Sequence, residues 1–182
     1  MRLHSKQTAL LLVDVQERLL GHIHDYERIE KHLLVLLQGL QSLEIPIVCN
    51  QQYTKGLGET ISSVRDILGE TTVYEKCTFS CAQNGDVMER LKSLHVKQVI
   101  VAGIESHVCI LQSVLDLLDA GFEVMLCTDA MGSRKMHDHD IALRRMAHEG
   151  ASLGTSDSLL FELLQSSLHP QFKAISALVK TL

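Results

Sequence analysis

Tryptophan is absent from this 182-residue chain, proline occurs only twice, and aromatic residues make up 4% of it. The core must therefore be aliphatic, and little is left of the proline that punctuates linkers and low-complexity tracts. No stretch stays apolar over the roughly 20 residues that a membrane-spanning helix needs. Lys and Arg number 17 against 22 Asp and Glu, a formal net charge of −5, so the basic footprint of a nucleic-acid surface is missing. Neither a nucleic acid nor a membrane is expected as a partner. The five cysteines (Cys49, Cys77, Cys81, Cys109, Cys127) are an odd set, three of them in or beside apolar runs. That usage suits free thiols in a reducing compartment. With no charged-then-apolar leader at the N-terminus, a cytoplasmic location is the expectation. Cys77-x-x-x-Cys81 lacks the spacing of a structural zinc pair, and no second pair accompanies it. No Gly-x-Gly-x-x-Gly follows the first apolar run, where Asp14-Val-Gln16 stands instead, which excludes a Rossmann-type dinucleotide site.

What is present is an alternation of short and long periods. Thr8 to Val15 is a nearly continuous apolar run, the mark of a strand buried on both faces. Tyr26 to Leu43 spaces Ile29, Leu33, Leu36, Leu37 and Leu40 as one helical face. Short strands follow at Ile47–Cys49, Thr72–Tyr74, Gln98–Ala102, Phe122–Cys127 and Ala151–Leu153. Helical patterns fall at Gly85–Leu94, Val108–Ala120, His137–Glu149, Ser156–Gln165 and Pro170–Leu182, and Gln51 to Glu59 reads as a loop. Six strands alternating with helices predict one α/β domain over residues 1–182. It is a three-layer sandwich with a six-stranded, mostly parallel sheet flanked by helices. In such sheets ligands bind beyond the carboxyl ends of the strands, which selects the polar residues that can meet.

Three polar residues fall at such ends. Val99 to Cys109 reads Val-Ile-Val-Ala-Gly-Ile-Glu-Ser-His-Val-Cys: a strand, a turn and a helix with Cys109 in its first turn. Unpaired N–H groups and the positive end of the helix dipole favour a thiolate there and can cradle an oxyanion. The alternative is a buried structural cysteine. Asp14 ends the first strand and Lys76 lies just past the third. Separately, an Asp there serves as a helix cap and a Lys as a solvated side chain. Together with Cys109 they supply covalent catalysis, with Asp14 taking and returning the thiol proton and Lys76 orienting the carboxylate.

From Leu11-Leu-Val-Asp-Val-Gln16 through Glu75-Lys-Cys-Thr-Phe-Ser80 and Val101-Ala-Gly-Ile-Glu-Ser-His-Val-Cys109 to Asp129-Ala130, the chain resembles the isochorismatase-like hydrolases. These include isochorismatases, nicotinamidases and N-carbamoyl amidohydrolases. The resemblance covers essentially the whole length and implies a six-stranded parallel sheet flanked by helices. It implies Asp14 as acid/base, Lys76 as triad lysine and Cys109 as nucleophile. It further implies a cis peptide between Ile104 and Glu105 that points the Glu105 and Cys109 N–H groups at one oxyanion site. Assembly as a homo-oligomer, from dimers upward, follows from the same source. The Asp-x-His pattern of metal-binding nicotinamidases is replaced by Cys49-Asn-Gln-Gln-Tyr-Thr-Lys-Gly-Leu-Gly58, poor ligands for such ions, so no metal and no cofactor are expected. The expected activity is hydrolysis of a small amide, carbamoyl or related carbonyl compound through a thioester. Vinyl-ether hydrolysis of the isochorismatase type, and a non-catalytic binding protein that keeps the fold, are the alternatives. Gln16, Gln51, Phe79 and Ser106 are expected to line the substrate pocket, Phe79 as an apolar wall and Gln16 as a neutral hydrogen-bond partner. A Glu105 side chain in that pocket would disfavour an anionic substrate, unless the side chain turns away to cap the helix. The polar run His137-Asp138-His139 reads as solvated or capping.

Overall fold

A computed structural model describes residues 1–182. Six parallel strands form one sheet: β1 (Thr8–Val13), β2 (Ile47–Gln52), β3 (Val73–Lys76), β4 (Gln98–Ile104), β5 (Glu123–Gly132) and β6 (Ser152–Gly154). Their spatial order is β3-β2-β1-β4-β5-β6. The central strands β1 and β4 are buried along their whole length, because helices cover both faces and every side chain must be apolar or paired.

One layer holds α1 (Glu17–Leu20), α2 (Tyr26–Ser42), α3 (Thr54–Leu57), α4 (Ser62–Leu68), α8 (Ser156–Leu164) and α9 (Phe172–Val179). Its core joins Leu33, Leu36 and Leu40 of α2 to Leu10, Leu12 and Ile100 of the sheet. The opposite layer is α5 (Gly85–Ser93), α6 (Leu111–Asp119) and α7 (Met136–His148), packed through Val87, Leu91, Val114, Leu117 and Met146 on Leu11, Val101 and Leu126. Leu10 and Leu12 face one layer and Leu11 the other, the period-two alternation of a strand. No helix is long and apolar enough to cross a membrane.

The architecture expected from the alternating pattern is the one observed, with a wholly parallel sheet. Several bounds differ. β3 runs on to Lys76 and β2 to Gln52, so polar residues taken for loop are strand ends. β5 extends to Gly132, with a register shift against β4 between Val101 and Gly103. The expected loop after β2 contains the short helix α3, and α1 and α4 lie in segments where no helix was expected.

The strand order reverses between β1 and β4, and the crevice beyond their carboxyl ends is where this class of sheet places ligands. Gly103 lets the two strands meet there. It has φ +121°, and a Cβ built on it would stand 2.1 Å from the Val13 carbonyl oxygen. Only glycine fits a backbone approach that close.

Candidate active site

Asp14 follows the last residue of β1 with φ 53°, a left-handed conformation that Asp tolerates better than most residues. Its N–H donates to the Asn50 carbonyl of β2 at 3.2 Å. Lys76 enters from β3, two strands away. Two strand spacings are about 9–10 Å, a gap that a long basic side chain can bridge and a short one cannot. Lys76 Nζ donates to Asp14 Oδ2 at 2.7 Å, to Gln52 Oε1 at 2.6 Å and to the carbonyls of Phe79 and Thr78 at 3.1 and 3.3 Å. Four oxygen acceptors around one ammonium keep it charged in a site where Lys76 is 3% exposed and Asp14 0%.

Cys109 comes from the other side of the strand-order reversal. It lies in a π-helical turn, Ser106–Ile110, that precedes α6, with Ile110 N–H donating to the Glu105 carbonyl at 3.2 Å. Single π-turns within helices recur at functional sites. The peptide between Ile104 and Glu105 is cis, as the resemblance implied. The Glu105 N–H donates to no acceptor in the fold. Ser113 Oγ, one helical turn on, donates to the Cys109 carbonyl at 2.6 Å and accepts from the Cys81 N–H at 2.8 Å, which pins the turn from below.

Cys109 is 7% exposed and lies near enough to Asp14 for the carboxylate charge to act on its thiol. Burial pushes Asp14 above its usual carboxylate range, an effect that outweighs the neighbouring Lys76 ammonium. It is thus a stronger base than an exposed aspartate. Asp14 Oδ1 is buried with no hydrogen-bond partner, so it is the lobe free to take a proton. Burial and then the Asp14 charge push the Cys109 thiol up, against a smaller opposite pull from Lys76. A helix terminus favours a thiolate; burial first, and the Asp14 charge second, favour the protonated sulfur here instead. Burial also pushes Cys49 and Cys81 up to about 12, with Asp14 adding to both.

The remaining expected site residues divide. The Gln16 amide is consumed by main chain: Nε2 donates to the Gln52 and Gly58 carbonyls at 2.9 and 2.7 Å, and Oε1 accepts from Gln52 N–H at 2.8 Å. It clamps the 52–58 segment and presents nothing to a ligand. Gln51 turns to the loop, bonding Thr54 and Thr60, while Gln52 reaches Lys76. Strand alternation is the signal that could have found Gln52, since it stands opposite Lys76 in the β2–β3 register. Phe79 is 52% exposed and contributes its carbonyl to Lys76, with its ring at the rim. Glu105 turns to the β5–α7 connection, where Oε2 accepts from the Arg134 N–H and Nε, each at 3.0 Å. Its charge is paired, so the argument against anionic substrates lapses. Ser106 is fully buried and bonded to His139 Nδ1 at 2.9 Å. His139 is therefore no solvated residue, and burial holds its pKa below the usual imidazole value.

No group of three or more His, Cys, Asp or Glu is arranged to hold a metal ion. A cleft of about 720 Å³ is lined by Gln41, Ile45, Pro46, Glu70, Tyr74 and Arg90 at the amino ends of β2 and β3. That is the wrong edge of the sheet for the Asp14–Lys76 pair, and its size marks no chemistry.

Comparison with known proteins agrees with this geometry. The isochorismatase domain matches residues 8–158. Isochorismatase family protein 1B of Dictyostelium discoideum is 34% identical over 95% of this chain and 86% of its own length. Among solved structures, one described as MAR1 ribonuclease from Caenorhabditis elegans superposes with TM-score 0.94 at 34% identity, covering 99% of this chain and 93% of that one. YcaC from Pseudomonas aeruginosa, solved with hexane-2,5-diol and covalent acrylamide, gives TM-score 0.91 at 25% identity over 99% of this chain and 95% of that one. The chain belongs to the isochorismatase domain family.

Proposed function

We propose that this protein is a cysteine hydrolase acting on a small amide, carbamoyl or related carbonyl compound, with Cys109 as nucleophile, Asp14 as acid/base and Lys76 holding the carboxylate. The observation that carries this reading is the buried 2.7 Å Lys76–Asp14 pair, whose carboxylate charge acts on the Cys109 thiol. As Cys109 Sγ bonds to the carbonyl carbon, the thiol proton passes to Asp14 Oδ1, and the carbonyl π electrons move to oxygen. The unpaired Glu105 N–H and the N–H of Cys109 are the donors assigned to that oxyanion. Collapse breaks the bond from carbon to the leaving nitrogen, which departs with the proton from Asp14 and leaves a thioester. Asp14 then takes a proton from water, whose oxygen attacks the thioester carbon. The acid product leaves, and the proton returns to sulfur.

A base with a raised pKa matches this task better than an ordinary carboxylate. Asp14, Lys76 and Cys109 are all buried, which supports a small substrate. The reducing compartment belongs to the same reading, since all five cysteines are free. Acrylamide, found covalently bound in the Pseudomonas aeruginosa relative, is an electrophile to which thiols add, which makes it a suitable probe here.

The test is turnover of a panel of small amides and ureides by the wild type and by Cys109→Ala. The expected result is loss of all turnover in the variant with an unchanged melting temperature. Hydrolysis that survives Cys109→Ala would remove the thioester route and favour vinyl-ether-type chemistry.

A further inference from the structure

The turn that carries Cys109 has no side-chain cap of its own. The first N–H groups of a helix normally find such a partner, and a π-turn is wound more loosely than an α-helix. The hold comes from outside. Three consecutive residues ahead of the cysteine are each tied either to the segment that joins β5 to α7 or to α7 itself. Glu105 takes both the main-chain N–H and Nε of Arg134 at 3.0 Å. Ser106 Oγ meets His139 Nδ1 at 2.9 Å, and His107 Nδ1 meets Ser133 Oγ at 2.9 Å. The Arg134 side chain is 59% exposed, whereas the Ser106–His139 and Ser133–His107 bonds each join a buried serine to a half-buried histidine. Of these two, the Ser106–His139 bond is the one anchored on a helix, α7, and a buried polar group loses most when its partner is removed.

We propose that His139 is a positioning residue for Cys109, holding the nucleophile turn over Asp14 through Ser106. The claim rests on the cysteine-hydrolase reading for its effect on turnover, but not for its effect on the thiol. A neutral imidazole is required for Nδ1 to accept the Ser106 hydroxyl proton. Burial favours that state and outweighs the opposite effect of Asp140 on α7 itself, while Arg28 of α2 adds the smallest push in the same direction as burial. With the latch gone, the turn loosens outward. Cys109 then becomes more accessible to an external electrophile and less well aligned with Asp14.

The experiment compares wild type, His139→Leu and His139→Asn, using acrylamide addition at Cys109 read by mass spectrometry, with melting temperature as the control for folding. Asparagine can place a hydrogen-bonding atom near the Nδ1 position; leucine cannot. His139→Leu is expected to alkylate several-fold faster than wild type, while turnover of any amide found to be a substrate falls about tenfold in kcat with little change in KM. His139→Asn is expected to restore both. An unchanged melting temperature, with Cys49, Cys81 and Cys127 left unmodified, separates misalignment from general unfolding, which would expose all the buried thiols together. An alkylation rate in His139→Leu equal to wild type, or no recovery in His139→Asn, overturns the proposal. If no amide turns over, or if turnover survives Cys109→Ala, the hydrolase reading fails, and the alkylation arm still decides the latch.

Discussion

Replacing Lys76 by methionine tests the energetic centre of the site. The substitution keeps the length of the side chain and removes the one cation that faces Asp14, a residue with 0% exposure. Asp14 Oδ1 has no partner even in the intact protein, so both carboxylate oxygens would then be buried and unpaired. Breaking a buried ion pair by removing one member costs about 3–5 kcal/mol. Unfolding entropy near 60 °C is about 2.1 cal/mol/K per residue, so a chain of 182 residues should lose roughly 10 °C in melting temperature. The double variant Asp14→Asn/Lys76→Met removes both charges and is expected to recover most of that loss, a coupling on the order of 2–3 kcal/mol. Acid should rescue the single variant. Burial already raises the Asp14 pKa above 3.8, and loss of the ammonium raises it further. A carboxyl whose folded pKa exceeds its unfolded one penalises the fold when ionised. The penalty is full above the folded pKa and fades as the pH falls toward 3.8. Thermal unfolding by circular dichroism, followed from about pH 7.5 downward toward 3.8, reads all of this. A Lys76→Met drop under about 2 °C, or single-variant losses that merely add in the double, would refute the picture of a buried, mutually dependent pair.

Two further outcomes follow from the same geometry. Asp14→Asn removes the charge that raises the Cys109 thiol pKa while leaving Lys76, so acrylamide addition at Cys109 should speed up as turnover vanishes; slower addition, measured by mass spectrometry across pH, would contradict the assigned electrostatics. Gln16→Leu strips partners from the Gln52 N–H and from two carbonyls, and should destabilise by about 1–3 kcal/mol in urea titration without altering Cys109 alkylation at low denaturant.

The fold was legible because its signals are local and redundant. The apolar runs of β1 and β4 and the single helical face of α2 each declare their class without tertiary context. The meeting of Asp14 with Lys76 was legible too, since each stands at or just beyond a strand's carboxyl end. The neighbours were harder. Gln51 and Gln52 are indistinguishable by composition, and the register with β3 decides which one reaches Lys76. Gln16 looks like a ligand contact until its amide is seen to be spent on the 52–58 main chain. His139 could not be found from sequence at all. Its partner Ser106 is 33 residues away, and a His on a polar helix face carries no mark of being latched. Nor could the thiol's protonation be read, because the helix-end argument points one way and a carboxylate from another strand points the other.

That last feature bears on durability. A sulfur that stays protonated until a substrate displaces its proton onto Asp14 is a poor target for peroxide between encounters, since oxidation proceeds through the thiolate. A permanently ionised nucleophile would exchange that protection for readiness. On the proposed mechanism ionisation is tied to occupancy, so the buried Cys109 is spared the steady attrition that a low-pKa cysteine invites.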